Sequence, residues 1–259
     1  MLFTEIIIIM KYYVAADVHG FFYEFHKALT EAGYFADTSP HKLVILGDLF
    51  DRGMEAEEMQ RFILDHMGDG LILVRGNHED LFVEMVTEDE GLPVHPHVSN
   101  GTYGTALQLT GWDETMAKIR HWDFAEAAQQ TPYYREIIPA TIDWYETKNY
   151  IFVHGWIPCT RIWKKYYYDA DWREAGPEDW WNARWCNGMD AAQTCKEEKT
   201  ILCGHWHCSY GHWKYEKKGS EFGDDADFSP YYGDGMIALD ACTALSRKVN
   251  VVVLEDEEL

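Results

Sequence analysis

Five short clusters in this chain carry the side chains that could do chemistry. They are Asp17-Val18-His19-Gly20, Gly47-Asp48-Leu49-Phe50-Asp51-Arg52-Gly53, Gly76-Asn77-His78-Glu79, His154-Gly155 and Gly204-His205-Trp206-His207. Carboxylates, imidazoles and a carboxamide are the oxygen and nitrogen donors that divalent transition ions take, and this mixture suits Mn²⁺, Fe or Zn²⁺ better than Ca²⁺. Two such ions sharing one water lower its pKa and polarise a phosphoryl oxygen, which is the chemistry of phosphoester hydrolysis. One cluster alone would say little, because Asp and His beside Gly are ordinary loop residues. All five, however, recur in one setting, directly after an apolar run.

Those runs, residues 6–16, 42–46, 71–74, 150–153 and 200–203, are predicted strands. Sheet-based folds gather ligands at the carboxyl ends of their strands, so five such ends can converge on one site. Helical spacing over residues 21–32, 56–67 and 81–86 completes a β-α-β-α-β-α series with the clusters in the strand-to-helix loops. Residues 100–145 turn helical, most clearly over 112–130, and predict a helical insert over the site. The second half returns to strands, with 236–239 and 249–254 added to the two already named. Residues 156–185 form an aromatic, irregular segment, 221–227 an acidic loop and 255–259 a frayed tail. The class is α/β. A chain of 259 residues with no Pro/Gly/Ser-rich linker and no internal repeat is expected to form one domain over 1–259.

The formal net charge of -22 repels nucleic acid and anionic membrane surfaces. No basic stripe accompanies the clusters, which argues against a nuclease. Six cysteines, at 159, 186, 195, 203, 208 and 242, form no Cys-x-x-Cys pair. Without a secretory signal they are expected to be reduced thiols of a cytoplasmic protein. Cys203 and Cys208 flank the last His pair, but those imidazoles already have partners for a metal. The apolar run at 6–10 is too short to cross a membrane and lacks a basic flank, leaving Met10 as a second candidate start.

The pattern from Asp17 to about Asp240 resembles the calcineurin-like metallophosphoesterase superfamily, and within it the phosphoprotein phosphatase branch. Its Gly-Asp-x-x-Asp-Arg-Gly and Gly-Asn-His-Glu blocks stand intact here. Residues 73–79, Asn100-Gly101-Thr102 and residues 151–155 are most similar to lambda-type Ser/Thr phosphatases and symmetrical diadenosine tetraphosphatases. The chain departs from the pattern at Ala16, where a Gly commonly precedes the first Asp, at Trp156 after His154-Gly155, and at Trp206, which replaces a Thr.

The resemblance implies two mixed β-sheets packed face to face and flanked by helices. It implies that Asp17, His19 and Asp48, with His207 as a fourth ligand, hold one ion, Mn²⁺ first among the candidates. Asp48, Asn77, His154 and His205 hold the second, and Asp48 bridges. His78 is implied as the acid that protonates the leaving oxygen. Asp51 would keep it protonated and correctly turned, since a nearby carboxylate favours imidazolium. Arg52 would clamp phosphate oxygens through its planar fork. Arg184 is the candidate for a second phosphate-binding Arg, one residue off the usual Trp-x-Arg spacing. His95, His97, His121 and His212 belong to no motif and are assigned surface or structural roles. The leading reading is a binuclear phosphomonoesterase acting on phosphoproteins or small phosphate esters. The runner-up is a dinucleoside polyphosphate hydrolase with the same core. A non-catalytic binding module is the alternative from another class.

Overall fold

The computed structural model describes residues 9–68, 70–87, 95–167 and 171–257. Two sheets carry the site. In the first, β1 (Ile9–Ala15), β2 (His41–Leu46) and β3 (Leu71–Val74) run parallel, and a C-terminal strand, Val251–Glu257, pairs antiparallel with β1 to give the order C-terminal strand-β1-β2-β3. In the second, β5 (Tyr150–Phe152), a strand at Thr200–Cys203 and one at Met236–Ala238 run parallel. They are edged by the antiparallel β4 (Tyr145–Glu146) and Tyr231–Gly233. A two-stranded hairpin, β6 (Thr160–Ile162) and β7 (Lys165–Tyr167), stands apart. In chain order the remaining strands are β8 (Thr200–Cys203), β9 (Tyr231–Gly233), β10 (Met236–Ala238) and β11 (Val251–Glu257).

Alternation of side chains along each strand builds the layers. Tyr12, Val14, Val44, Leu46 and Val74 point from the first sheet toward Phe152, Leu202 and Ile237 of the second, and together they form the core between the sheets. Tyr13, Ala15, Leu43, Ile45 and Leu73 point the other way, onto α1 (Phe22–Ala32) and α2 (Ala56–His66), whose Phe25, Leu29, Met59 and Ile63 are buried there. On the far side of the second sheet, Ile151, Ile201 and Cys203 meet Trp156, Trp172 and Trp180. This is the expected sandwich of two mixed sheets with helices outside.

Four readings change. The third helix, α3 (Asn77–Thr87), starts at the motif itself and not at residue 81, so Asn77 and His78 sit in its first turn. The helical region contains α4 (His95–Asn100), α5 (Thr102–Thr110), α6 (Glu114–Ile119), α7 (His121–Gln129), a π-helical turn at Tyr133–Ile137 and the single turn α8 (Ile138–Ala140). The stretch 112–130 is thus two helices, broken at Arg120, whose φ of -116° and ψ of 50° leave the helical region. The aromatic segment 156–185 holds the β6–β7 hairpin and α9 (Pro177–Arg184). Pro177 opens α9, where a missing N–H costs nothing, and the Asp179 carboxylate accepts from the Gly176 N–H at 3.2 Å. Finally, residues 255–257 of the expected tail continue β11, with Glu255 opposite Lys11 and Glu257 opposite Ile9. Asp256 is buried and accepts from the Thr147 hydroxyl at 2.6 Å and the Asn149 N–H at 2.7 Å, which explains why an acidic end stays ordered. The first eight residues of the sequence and residues 258–259 lie outside the described part.

Candidate metal centre

The loops that leave β1, β2, β3, β5 and β8 converge as the spacing requires. Holding them there takes unusual backbone. Asp17, His19, Asp48, Asp51, Arg52 and His205 all have φ between 52° and 78°. Each such non-glycine residue costs on the order of 1–3 kcal/mol, a cost that persists only where the surroundings enforce it. Glu79 is the enforcing group among the β2 and β3 loops. Its buried carboxylate accepts from the N–H groups of Asp48 (3.0 Å), Leu49 (3.0 Å) and Gly76 (2.7 Å) and from the Tyr133 hydroxyl (3.1 Å). A Cβ at Gly76 would overlap the Asp48 carboxylate, so these two loops pack backbone against side chain.

Asp48 lies between two donor groups, His19 and His78 on one side, His154 and His205 on the other. Its Oδ2 is 3.7 Å from His19 Nε2, and its Oδ1 is 3.3 Å from His154 Nε2. For two of these rings the protein fixes which nitrogen is free. His154 Nδ1 is 2.6 Å from the Leu46 carbonyl oxygen, and His19 Nδ1 is 3.1 Å from that of Phe50. A carbonyl can only accept, so both Nδ1 atoms carry the proton and both Nε2 atoms present lone pairs. Burial pushes the pKa of His19 and of His154 down and that of His205 down to about 3, which keeps the imidazoles neutral.

The consequence is a concentration of acceptors. Asn77 Oδ1 faces His154 Nε2 and His205 Nδ1, each at 2.9 Å. Asp17 is buried, and its carboxylate accepts from the His205 N–H at 2.9 Å. Burial, and then the carboxylates of Asp240 and Asp48, raise the Asp17 pKa well above its ordinary value. Asp240 itself is pushed up to about 6, by burial first. Neutral imidazole lone pairs, an amide oxygen and mutually repelling buried carboxylates lack one thing, which is positive charge. The donor set therefore fits divalent cations.

His78 is placed differently. Its Nδ1 is 2.6 Å from Asp51 Oδ2, and its Nε2 is 3.8 Å from Asp48 Oδ2. Burial alone would depress its imidazolium, but Asp48 and the hydrogen bond to Asp51 outweigh this and raise its pKa. Asp51 is held in turn by α5. Thr102 donates its hydroxyl to Oδ2 and Thr105 to Oδ1, each at 2.7 Å. Gly101, with φ of 93°, lets that segment touch the Arg52 backbone. The helical region is thus part of the site and not only a cover. Arg52 Nη2 lies 3.4 Å from His78 Nε2, and with His78 protonated both are donors. Two convergent donors without an acceptor between them have the form of an oxyanion subsite.

Two candidates fall outside these groups. His207 pairs its Nε2 with Glu221 at 3.0 Å, and its ring packs against Trp206 and Phe222. Arg184 is buried at the end of α9 and gives Nε to Asp80 and Nη1 to Asp143, both at 2.6 Å. Of the unassigned imidazoles, His212 pairs with Glu216 at 2.9 Å, a structural role, and His97 is buried. Asp240 was not picked out from the sequence, although it follows the β10 strand as the other carboxylates follow theirs. Glu79, Thr102 and Thr105 were also missed as positioning groups.

Beside His205 a cleft of about 1220 Å³ opens, lined by Trp185, Trp206, Tyr210, Asn187, Arg161 and Asp171 among others. Trp185 stands edge-on to the His205 ring at 5.7 Å. Trp156 and Trp206, two of the three departures from the family pattern, each have a buried indole N–H without a partner among the described residues.

Residues 10–233 match the family described as Calcineurin-like phosphoesterase. The chain belongs to that family. Over 70 residues it is 36% identical to the symmetrical bis(5'-nucleosyl)-tetraphosphatase of Aromatoleum aromaticum, a match spanning 27% of this chain and only 24% of that protein. Among solved structures it is similar to a candidate diadenosine tetraphosphatase, with a TM-score of 0.51, 13% identity and coverage of 96% of this chain and 94% of the other. It is also similar to a mutant of a cold-active protein tyrosine phosphatase, with a TM-score of 0.53, 15% identity and coverage of 94% and 75%. At these identities the solved structures speak for the fold. Calcineurin-like phosphoesterases are hydrolases of phosphorylated substrates, and divalent metals are general in the family. No helix among the described residues is long and apolar enough to cross a membrane.

Proposed function

We propose that this chain is a binuclear metal-dependent phosphatase that hydrolyses phosphomonoesters, with phosphoproteins as the leading substrate class. The observation that carries the reading is Asp48 standing between two donor groups, with His78 and Arg52 beside it. Asp17, His19 and Asp48 would hold one ion, and Asp48, Asn77, His154 and His205 the other, Mn²⁺ being the first to test and Fe or Zn²⁺ the alternatives. Bound cations would supply Lewis-acid charge and an activated water. Arg52 binds non-bridging phosphate oxygens. His78, kept protonated by Asp51, gives its proton to the leaving oxygen. His207 and Arg184 serve this reading only if they leave Glu221 and the two carboxylates that hold them. A single domain working in the cytoplasm completes the reading, supported by the six free thiols.

A second reading, hydrolysis of dinucleoside polyphosphates, is favoured by the tetraphosphatase match and by the aromatic cleft, where a nucleobase can stack. One experiment separates these from a non-catalytic module. Metal content is measured by elemental analysis, and turnover is then compared on phosphopeptides, dinucleoside polyphosphates and sugar phosphates. Two equivalents of metal and the highest kcat/KM on phosphopeptides are expected. Preference for the dinucleotide would install the second reading, and metal binding without turnover would leave a binding module.

A further inference from the structure

We propose that Cys159 and Cys186 form an oxidisable dithiol on the cleft wall, and that a peroxide converts it to a disulfide tying the β6–β7 hairpin to the end of α9. The inference does not rest on the identity of the substrate. The two sulfurs lie 4.0 Å apart, and both residues are half-buried and line the cleft beside His205. A disulfide requires about 2.05 Å, so the sulfurs must close by about 2 Å. Cys159 immediately precedes β6, and β6 and β7 are exposed along most of their length. That end of the pair has room to give.

The surroundings assign different roles to the two thiols. Arg161 lines the same cleft, and its charge favours the Cys186 thiolate. The Cys186 contact to the Asn182 carbonyl is long at 3.7 Å and competes weakly. Cys186, the thiol that the Arg161 charge favours as a thiolate, is therefore assigned as the nucleophile, and Cys159 as the resolving thiol that brings its proton to the second step. In the first step the Cys186 thiolate attacks one peroxide oxygen. The S–O bond forms, the O–O bond breaks, and the leaving hydroxide is protonated to water. In the second, the Cys159 sulfur attacks the Cys186 sulfenic acid. The S–S bond forms, the S–O bond breaks, and a second water leaves with the Cys159 proton. Two thiols lose two electrons to one peroxide. Cys203 and Cys208, by contrast, are buried and pushed up by that burial, and Cys208 donates to the Ala238 carbonyl at 3.1 Å.

The new bond would add to an existing seam. The Ala183 carbonyl accepts from the Trp156 N–H at 3.1 Å, and Gly155 lies against the backbone of Ala183 and Arg184. The end of α9 thus already touches the loop carrying His154, and the disulfide would close the cleft side of that contact one residue from Trp185.

The test treats the full-length protein with equimolar hydrogen peroxide, blocks remaining thiols by alkylation and maps the peptides by mass spectrometry. A Cys159–Cys186 cross-link that dithiothreitol reverses is the expected result. In Cys159→Ser the cross-link should be absent and Cys186 trapped as a sulfenic acid by dimedone. Phenylarsine oxide, which needs two neighbouring thiols, should bind one equivalent of wild type and none of Cys159→Ser. Dominant pairing of Cys159 with Cys195, or oxidation of Cys186 to sulfinic acid without any cross-link, would overturn the proposal. So would zinc in the purified protein that disappears in Cys159→Ser while the ions at Asp48 stay, since that is a thiolate metal site. Should the Ser variants fail to fold, the wild-type peptide map alone decides.

Discussion

The two halves of the site are built on opposite terms. On the first sheet the loops after β2 and β3 are closed on themselves, with Glu79 collecting three backbone N–H groups and Asp51 collecting two threonine hydroxyls. On the second, a wide cleft opens beside His205, and its walls include Trp185, Trp206, Tyr210 and a pair of free thiols. The first half is rigid because its polar groups are satisfied by protein, which suits groups that must meet a transferring phosphoryl in fixed geometry. The second lays aromatic faces and polar side chains along an open cleft, which suits selection. Chemistry on one sheet and choice of substrate on the other is the division this suggests, and substitutions can break it.

The largest effect is expected at the seam, where Asp48 serves both halves. Asp48→Asn removes the charge between the two donor groups and leaves four imidazoles around a neutral amide. We expect loss of at least one equivalent of metal and near-complete loss of phosphatase activity on every substrate, whatever fills the cleft. Two tightly held ions with normal turnover in this variant would sink the metal assignment.

Next comes His78, wholly on the chemical side. His78→Asn should keep both ions and lose about 10²- to 10⁴-fold in rate, the usual range for a general acid. The loss should be larger for alkyl phosphates than for p-nitrophenyl phosphate, whose leaving group needs little protonation. The pH profile gives the sign. An acid must carry its proton, so activity falls as pH rises through the His78 pKa, which Asp48 and Asp51 hold above the ordinary imidazole value. His78→Asn should lack that basic limb, and Asp51→Asn should move it to lower pH. Metal loss in His78→Asn would make this residue a ligand, as its place beside His19 and Asp48 also permits.

The same division explains what could be read from the chain. Asp17, Asp48, Asn77, His154 and His205 were legible because each follows an apolar run, and strand ends gather ligands. Asp240 obeys the same rule after Met236–Ala238, but a single Asp before Ala-Cys carries no motif to flag it. Glu79 stood within a named motif without a role, since nothing in a sequence shows which distant N–H groups a carboxylate collects. The β6–β7 hairpin and α9 were hidden in an aromatic segment, because Trp and Tyr serve helix, strand and core alike. The resemblance implies His207 as a fourth ligand of the first ion, yet its ring is turned to Glu221. Spacing identifies neighbours along the backbone and not the direction of a side chain.

A smaller loss is expected at Arg52, the exposed end of the closed half. One bidentate charge-assisted contact is worth about 1.5–3 kcal/mol, so Arg52→Ala should lower kcat/KM roughly ten- to a hundredfold. Because the contact is to phosphate itself, the factor should be alike for phosphopeptides, nucleotides and p-nitrophenyl phosphate. A loss confined to one class would place Arg52 with the selecting groups and blur the division.

Arg184 gives the smallest effect on activity and the sharpest test of the open half. Its Nε and Nη1 are spent on Asp80 and Asp143, and Asp80 also takes Arg75 Nε at 2.7 Å. Arg184→Ala would leave Asp80 with one partner and Asp143, which is partly exposed, with water. The damage is therefore milder than the about 3–5 kcal/mol seen when a fully buried pair loses one member. At about 2–4 °C of Tm per kcal/mol for a chain of this size, a fall of several degrees is expected. Because α9 backs the loop of His154 through Gly155, a modest drop in kcat/KM should follow, below that of Arg52→Ala and dependent on how far the substrate extends into the cleft. A phosphate-binding role would show the reverse pattern, KM raised tenfold or more with Tm unchanged. That outcome would put a phosphate clamp on the second sheet and give both halves a share in the chemistry.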